Sequence, residues 1–238
     1  MMSLFHEYFL AFLHPFKNQQ ALRVLRERAM EISGTRPLRL AGDLFEEDEI
    51  PTTAELEQAS SLDFVEVLGM SWFFAAIEGF YAILALHLGQ VFFQSWSTPN
   101  DLALLLPIET TMYTQRVLLT AALAKVVFFP IIFWFYAKFW KVLIKFFAGL
   151  FQVDGDLNKI VDQVVNQSMT SHFMLSVPIF GRMLRHLLGL LHLFAGLRNN
   201  LQMSVLQSVV IILSPAIIMT MITSLFMVSI LYLLSVSF

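Results

Sequence analysis

The chain has 238 residues, 57% of them hydrophobic and only 14% charged, with a mean hydropathy of +0.69. Soluble domains carry about 25% charged residues, so this composition excludes an ordinary water-soluble globule. The absence of cysteine excludes disulfides, thiolate metal sites and a thiol nucleophile, while a net charge of −3 names no partner by itself.

The first residues do not read as a secretory signal. His6 and Glu7 interrupt the apolar run, and Arg23, Arg26 and Arg28 follow in place of a small-residue cleavage site. Membrane insertion is therefore expected to use internal segments. Ser3 to Leu13 places Phe5, Tyr8, Phe9, Phe12 and Leu13 on one helical face. It is too short to span, and reads as an interfacial helix or one docked on a bundle. His14-Pro15 breaks it. Phe16 to Ile32 follows as an amphipathic helix, with Lys17, Arg23, Arg26 and Arg28 as its basic side. Such a helix suits either an anionic cytoplasmic leaflet or a solvated face of a small subdomain, and both readings stay open.

Ser33-Gly34 ends that helix. Glu46, Glu47, Asp48 and Glu49 form an acidic linker, and Thr52 or Thr53 is positioned to cap a short helix. Residues 1–64 thus read as a cytoplasmic or interfacial region, and 65–238 as a transmembrane helical domain.

Within that domain, 67–93 is the first spanning candidate, with Glu78 near its middle. A polar connector follows. The second span is 117–137, with Lys125 inside it and Pro130 expected to bend it. Lys138, Lys141 and Lys145, beside Trp134 and Trp140, read as an interface belt of snorkelling lysines. Asp154-Gly155-Asp156 is a turn, and Asp156 is placed to cap a helix over Leu157–Met169 with Ile160, Val161, Val164 and Val165 on its apolar face. The segment 171–197 is apolar but carries Pro178, Gly181, Arg182, Arg185, His186 and His192. It reads as re-entrant or spanning. Finally 201–237 contains no charged side chain and is interrupted only by Pro215, another expected kink together with Pro130 and Pro178.

Charge gives the topology. The basic N-terminal region and the lysines after the second span favour the cytoplasm, and the connector between the spans lies outside. The expectation is a multi-pass protein with a cytoplasmic N-terminus, in a bacterial inner membrane. If 171–197 spans once, Arg182 and Arg185 lie at membrane depth; if it dips and returns, they stay with Arg198 on the inner side.

From 117 to 237 the order of marks resembles the Yip family of Ypt/Rab-interacting membrane proteins and their prokaryotic relatives. The matching residues are Phe133-Trp134-Phe135-Tyr136-Ala137-Lys138, then Lys145-Phe146-Phe147-Ala148-Gly149-Leu150, a short polar helix leading into Pro178, the run Leu187 to Arg198, and an uncharged last helix. Where family members carry further spans, only Pro178 to Gly196 is available here, and the resemblance reads it as a reduced, re-entrant form. The resemblance implies a polytopic all-α protein without chemistry. Its eukaryotic members are linked to vesicle traffic through prenylated small GTPases, a role not carried over to this chain.

Glu78 and Lys125, deepest in the two strong spans, form an expected intramembrane ion pair. It serves either as a register-fixing structural pair or as part of a proton or ion relay. Arg182, Arg185 and Arg198 are candidates for lipid headgroups. Gly149, Gly181, Gly189 and Gly196 are candidates for close helix approach, and Met203, Met219, Met221 and Met227 for adaptable packing. His172, His186 and His192 lack the spacing of a metal site. No cofactor, nucleic-acid surface or phosphate-cradling loop is expected.

The sequence therefore points to a non-enzymatic membrane scaffold or adaptor. Its partners are the bilayer and a membrane or cytoplasmic protein, with a homo-oligomer as a further option. The segment 157–169 and the N-terminal region would present the docking surfaces. The alternatives are a small transporter or channel subunit using Glu78 and Lys125, or a lipid-handling protein.

Overall fold

The computed structural model describes residues 2–32, 61–96, 112–153 and 156–237. The acidic linker, the Thr52/Thr53 cap, most of the 94–115 connector and the Asp154-Gly155 turn lie outside them. The described residues are all-α, as the composition implies: α1 (Met2–Leu13), α2 (Pro15–Ile32), α3 (Phe64–Trp96), α4 (Met112–Leu150), α5 (Leu157–Met169), a 3₁₀ turn over Thr170–Ser176, α6 (Gly181–Asn199) and α7 (Val205–Ser237). Phe64–Gly89, Arg116–Leu150 and Val205–Tyr232 are long and apolar enough to cross a membrane.

Prolines set the local problems that tertiary contacts solve. A helical proline has no N–H, so the carbonyl four residues earlier loses its partner. Pro15 leaves the Ala11 carbonyl open, and Gln167 Nε2 donates to it at 3.2 Å. Pro130 leaves Val126, and the Trp72 indole N–H donates to that carbonyl at 2.9 Å. Pro215 leaves Ile211, and the Ser214 hydroxyl donates to it at 2.7 Å. Pro130 and Pro215 sit inside α4 and α7. Pro178, read above as a helix kink, instead lies in the turn between the 3₁₀ segment and α6, where the chain reverses.

That reversal makes α5, the 3₁₀ turn and α6 an antiparallel hairpin. Three glycines of α6 set its closeness. A Cβ on Gly196 would lie 2.5 Å from Val164 Cγ1, one on Gly189 would lie 3.0 Å from Ser171 Oγ, and one on Gly181 would meet the Met174 carbonyl. Gly149, the fourth candidate, has nothing near it. Gly79 is an approach the sequence reading omitted: its Cβ would sit 2.6 Å from Val126 Cγ2, where α3 crosses α4.

One hydrophobic core joins both ends of the chain. It includes Tyr8, Ala11, Val67, Phe74, Phe133, Ala137, Ile144, Val161, Val164, Leu193 and Ile211. The division at residue 64 therefore does not separate two cores. α1 is docked on the bundle: Tyr8 is buried and its hydroxyl reaches Ser71 Oγ at 3.2 Å and donates to the Met169 carbonyl at 3.3 Å. Burial pushes the Tyr8 phenol well above its ordinary range, so the proton stays on. α2 packs on α6, with Gln19, Ala21 and Leu22 buried. Arg23 and Arg26 of its basic side are engaged within the protein, while Arg28 is exposed. Arg23 pairs with Glu27 at 2.8 Å. Arg26 donates to Asn200 Oδ1 at 2.7 Å and to the Asn200 carbonyl at 3.1 Å, and Asn200 in turn donates to Gln19. Burial pulls the Arg26 guanidinium below its ordinary value.

α5 corrects another expectation. Ile160, Val161, Val164 and Val165 are buried as read, but so are Asn166, Gln167, Ser168 and Met169. The helix lies at the centre of the fold, with Asn158 and Lys159 left exposed on its outward side. Asp156 stands at its N-cap without a side-chain capping bond. Leu201 to Ser204 are not helical, and the final helix runs unbroken from Val205 to Ser237.

The proline account makes a direct prediction. Trp72→Phe should cost about 1–2 kcal/mol by leaving the Val126 carbonyl unpaired in an apolar setting. In a Pro130→Ala background, where the backbone N–H returns, the same change should cost close to nothing beyond packing. A double-mutant cycle by thermal unfolding in detergent reads this; equal losses in both backgrounds would sink it.

Candidate functional site

The α3–α4 crossing and the tip of the α5–α6 hairpin meet at Glu78. The register follows from successive contacts. Asn166 Nδ2 donates to the Leu62 carbonyl at 3.1 Å, Ser71 lies beside Met169, Phe74 packs edge-on against Phe173, and Glu78 then meets Arg182. The hairpin thus descends beside α3 and turns at the level of Glu78. Each end of the hairpin returns to the side of Phe64. The segment thus doubles back beside α3, and α6 is not among the helices long and apolar enough to cross a membrane.

At the tip, Lys125 Nζ lies 2.6 Å from Glu78 Oε2. Arg182 Nε donates to the other oxygen, Oε1. The structure thus brings together the two residues singled out from sequence and adds a third. The Glu78 side chain is 13% exposed, Lys125 42% and Arg182 65%, so the carboxylate is enclosed and its cations face outward. Arg185 is close enough to Glu78 and Arg182 to interact electrostatically. Its direct partners are imidazoles: Nη1 donates to His172 Nε2 at 3.2 Å and Nη2 to His186 Nε2 at 2.8 Å. His172 Nδ1 lies 2.8 Å from the Met169 carbonyl, which only accepts. His172 is therefore the neutral Nδ1–H tautomer, its Nε2 lone pair turned to the guanidinium.

The turn that presents Arg182 is apolar. Ile179 is 91% exposed, with Phe180 and Met183 exposed beside it. Ile179 holds φ 68°, a left-handed conformation that a β-branched residue rarely adopts.

Other site residues fall elsewhere. Arg198 stands at the far end of α6, about 20 Å from Arg185 along the helix, so the three arginines are not one cluster. Lys141 bonds Asp162 at 3.0 Å and lies 5.3 Å over the Phe64 ring, tying α4 to α5 and α3. Lys138 is exposed and Lys145 half-buried. Trp134 is exposed, as an interface residue would be. Trp140 is not: it is 4% exposed, because Phe133, Ala137, Trp140 and Ile144 form the inward stripe of α4. Among the described residues no group of three His, Asp or Glu is placed to hold a metal. His192 packs against Phe12, apart from His172 and His186.

Glu78→Gln leaves two cations facing a neutral amide. A cycle of Glu78→Gln with Lys125→Met should show a coupling of about 0.5–1.5 kcal/mol in unfolding measurements, the range of polar pairs between membrane helices. Zero coupling would mean that the pair does not support the fold. Comparison with known proteins finds no matching family model, no matching curated protein and no matching solved structure.

Proposed function

We propose that this chain is a non-enzymatic integral membrane scaffold that works as a subunit of a larger assembly. The observation that supports it most is the cationic group at the tip of the hairpin, Lys125 and Arg182, exposed beside long helices whose apolar surface the chain leaves largely bare. Of the most apolar window in each, 33% is buried in Phe64–Gly89, 11% in Arg116–Leu150 and 11% in Val205–Tyr232. The compact part of the protein is the hairpin with α1, α2 and the adjoining halves of α3 and α4. Beyond Glu78 the three long helices run on with apolar side chains exposed, including Phe80, Leu88, Leu119, Leu123, Met221 and Phe226.

A self-contained transporter encloses its path between spans. One cavity, about 610 Å³, is an open groove along α7 alone, lined by Ala216, Thr220, Ser224 and Val228 among others, and does not lie between spans. Glu78 has each oxygen committed to a cation, which suits a structural clamp better than a relay. The resemblance of residues 117–237 to the Yip family supports the same reading. The partner is a membrane or cytoplasmic protein. On this reading the protein sits in a bacterial inner membrane with its N-terminus in the cytoplasm.

Two measurements test this. Full-length tagged protein purified from native membranes in mild detergent should retain a protein at fixed stoichiometry by native mass spectrometry. A homogeneous lone monomer carrying only lipid overturns the assembly reading. The chain has no cysteine, so single-cysteine variants report topology without background. Asn158→Cys should react with an impermeant maleimide only from the cytoplasmic side, and Ser97→Cys only from the opposite side. Reaction of the two from one side overturns the topology.

A further inference from the structure

We propose that the Lys125–Arg182–Arg185 group is a docking site for a transmembrane helix of a different protein, one that carries an aspartate or glutamate within its span. The inference rests on the assembly reading above and names the chemistry of the partner.

The argument starts from charge. Lys125, Arg182 and Arg185 meet one carboxylate, Glu78, among the described residues. Two positive charges are left without a counter-charge, because the direct partners of Arg185 are imidazole acceptors. Arg182 uses only Nε; its two terminal nitrogens have no partner among the described residues, and its side chain is 65% exposed.

Depth makes this consequential. Along α3, Glu78 lies about 21 Å from Phe64 and about 16 Å from Gly89; along α4, Lys125 lies about 14 Å from Arg116 and about 20 Å from Lys138. The hydrocarbon core of a bilayer is about 30 Å thick. The cations therefore sit well inside it when these helices span, where unpaired donors and charges are costly and are met by other polar groups. A lipid phosphate at the membrane surface lies too far away to reach them in an undistorted bilayer.

The surroundings fit a helix. Ile179, Met183, Val127 and Phe128 are exposed and apolar on either side of the cations. An apolar helix with one acidic residue matches such a patch, since its carboxylate meets Arg182 and its flanks meet the aliphatic and aromatic rim. A second copy of this chain does not supply that acid. Among the described residues the spans contain only Glu78, already engaged, and Glu66, about 18 Å away along α3.

The test uses a defined probe. Labelled Leu/Ala transmembrane peptides, identical except for one central Glu or Gln, are reconstituted with the labelled full-length protein in phosphatidylcholine vesicles, and association is read by energy transfer. The Glu peptide should bind roughly tenfold more tightly than the Gln peptide, the scale of an intramembrane polar contact. Arg182→Gln should reduce that preference to near unity, Arg185→Gln should weaken it, and Arg182→Lys should keep most of it. Equal binding of the two peptides to the wild type overturns the proposal. So does a preference that survives Arg182→Gln together with Arg185→Gln. Loss of the preference on adding phosphatidylglycerol also overturns it, since a lipid phosphate is then the occupant. Should Arg182→Gln fail to fold, the Lys variant and the lipid competition still decide. A native partner that stays bound to Arg182→Gln refutes this inference alone and leaves the assembly reading standing; the lone monomer refutes the assembly reading.

Discussion

Backbone carbonyls orphaned by proline are the constraint on which this architecture depends. In water, a carbonyl without its helical partner turns to solvent. In hydrocarbon or in a packed protein core it has no such recourse, and leaving it unpaired is costly. Three prolines in this chain create the problem, and each solution is a side chain on a named element. Ser214 solves it locally, one residue before Pro215. Trp72 and Gln167 solve it at long range, and in doing so they fix how helices meet. The indole N–H locks α3 onto α4 at Val126, the residue that Gly79, two turns further along α3, also meets. The Gln167 amide holds the α1–α2 corner, donating to the carbonyls of Ala11 and Pro15 while accepting from Asn18. The bend between α1 and α2 is thus tied to the end of α5, which is why the N-terminal helices belong to the same core as the hairpin.

Charge obeys the same rule at the tip of the hairpin. Glu78 is the deepest carboxylate of α3, and the structure surrounds it with cations from two other elements, Lys125 on α4 and Arg182 on α6. The cluster fixes three helices in one register. It also explains why the hairpin stops where it does. Arg182 opens α6 at the level where its counter-charge stands, and the residues just before it, Ile179 and Phe180, are apolar enough to face lipid.

Much of this was legible in the sequence. The bounds of α5 follow from Ile160, Val161, Val164 and Val165, because a buried stripe at helical spacing between a turn and a polar run admits little else. The three long helices follow from apolar length. The Glu78–Lys125 contact follows from the cost of isolated charge at depth. The rest depended on long-range packing. Pro130 announces that Val126 needs a donor, but nothing local selects Trp72 from the other donors. Arg182 stood out as a charge too deep, and Glu78 as another; pairing them required knowing that 171–197 turns back. Trp140 misled because an aromatic beside lysines reads as an interface residue. The small residues Ala137 and Ala148 on the same stripe were the available signal that this face is turned inward.

The same physics separates what the chain settles alone from what it leaves to its surroundings. Polar groups in the hairpin are largely satisfied inside the chain: Asn200, Gln167, His172 and Tyr8 each bond across elements. Apolar groups beyond Glu78 are largely not covered, and among the described residues of α7 only Ile211 and Ser214 are buried after the first turn, with Ile212 packed partly against the core. Lipid covers bare apolar surface as well as a protein does, since association of helices in hydrocarbon gains nothing from burying Leu. Lipid tails offer nothing to a guanidinium. Exposed leucines therefore say little about what covers them, whereas Arg182, with terminal nitrogens unanswered among the described residues, is a polar group that apolar surroundings do not satisfy. Among the described residues, the informative part of this apolar surface is the group of charges at the hairpin tip.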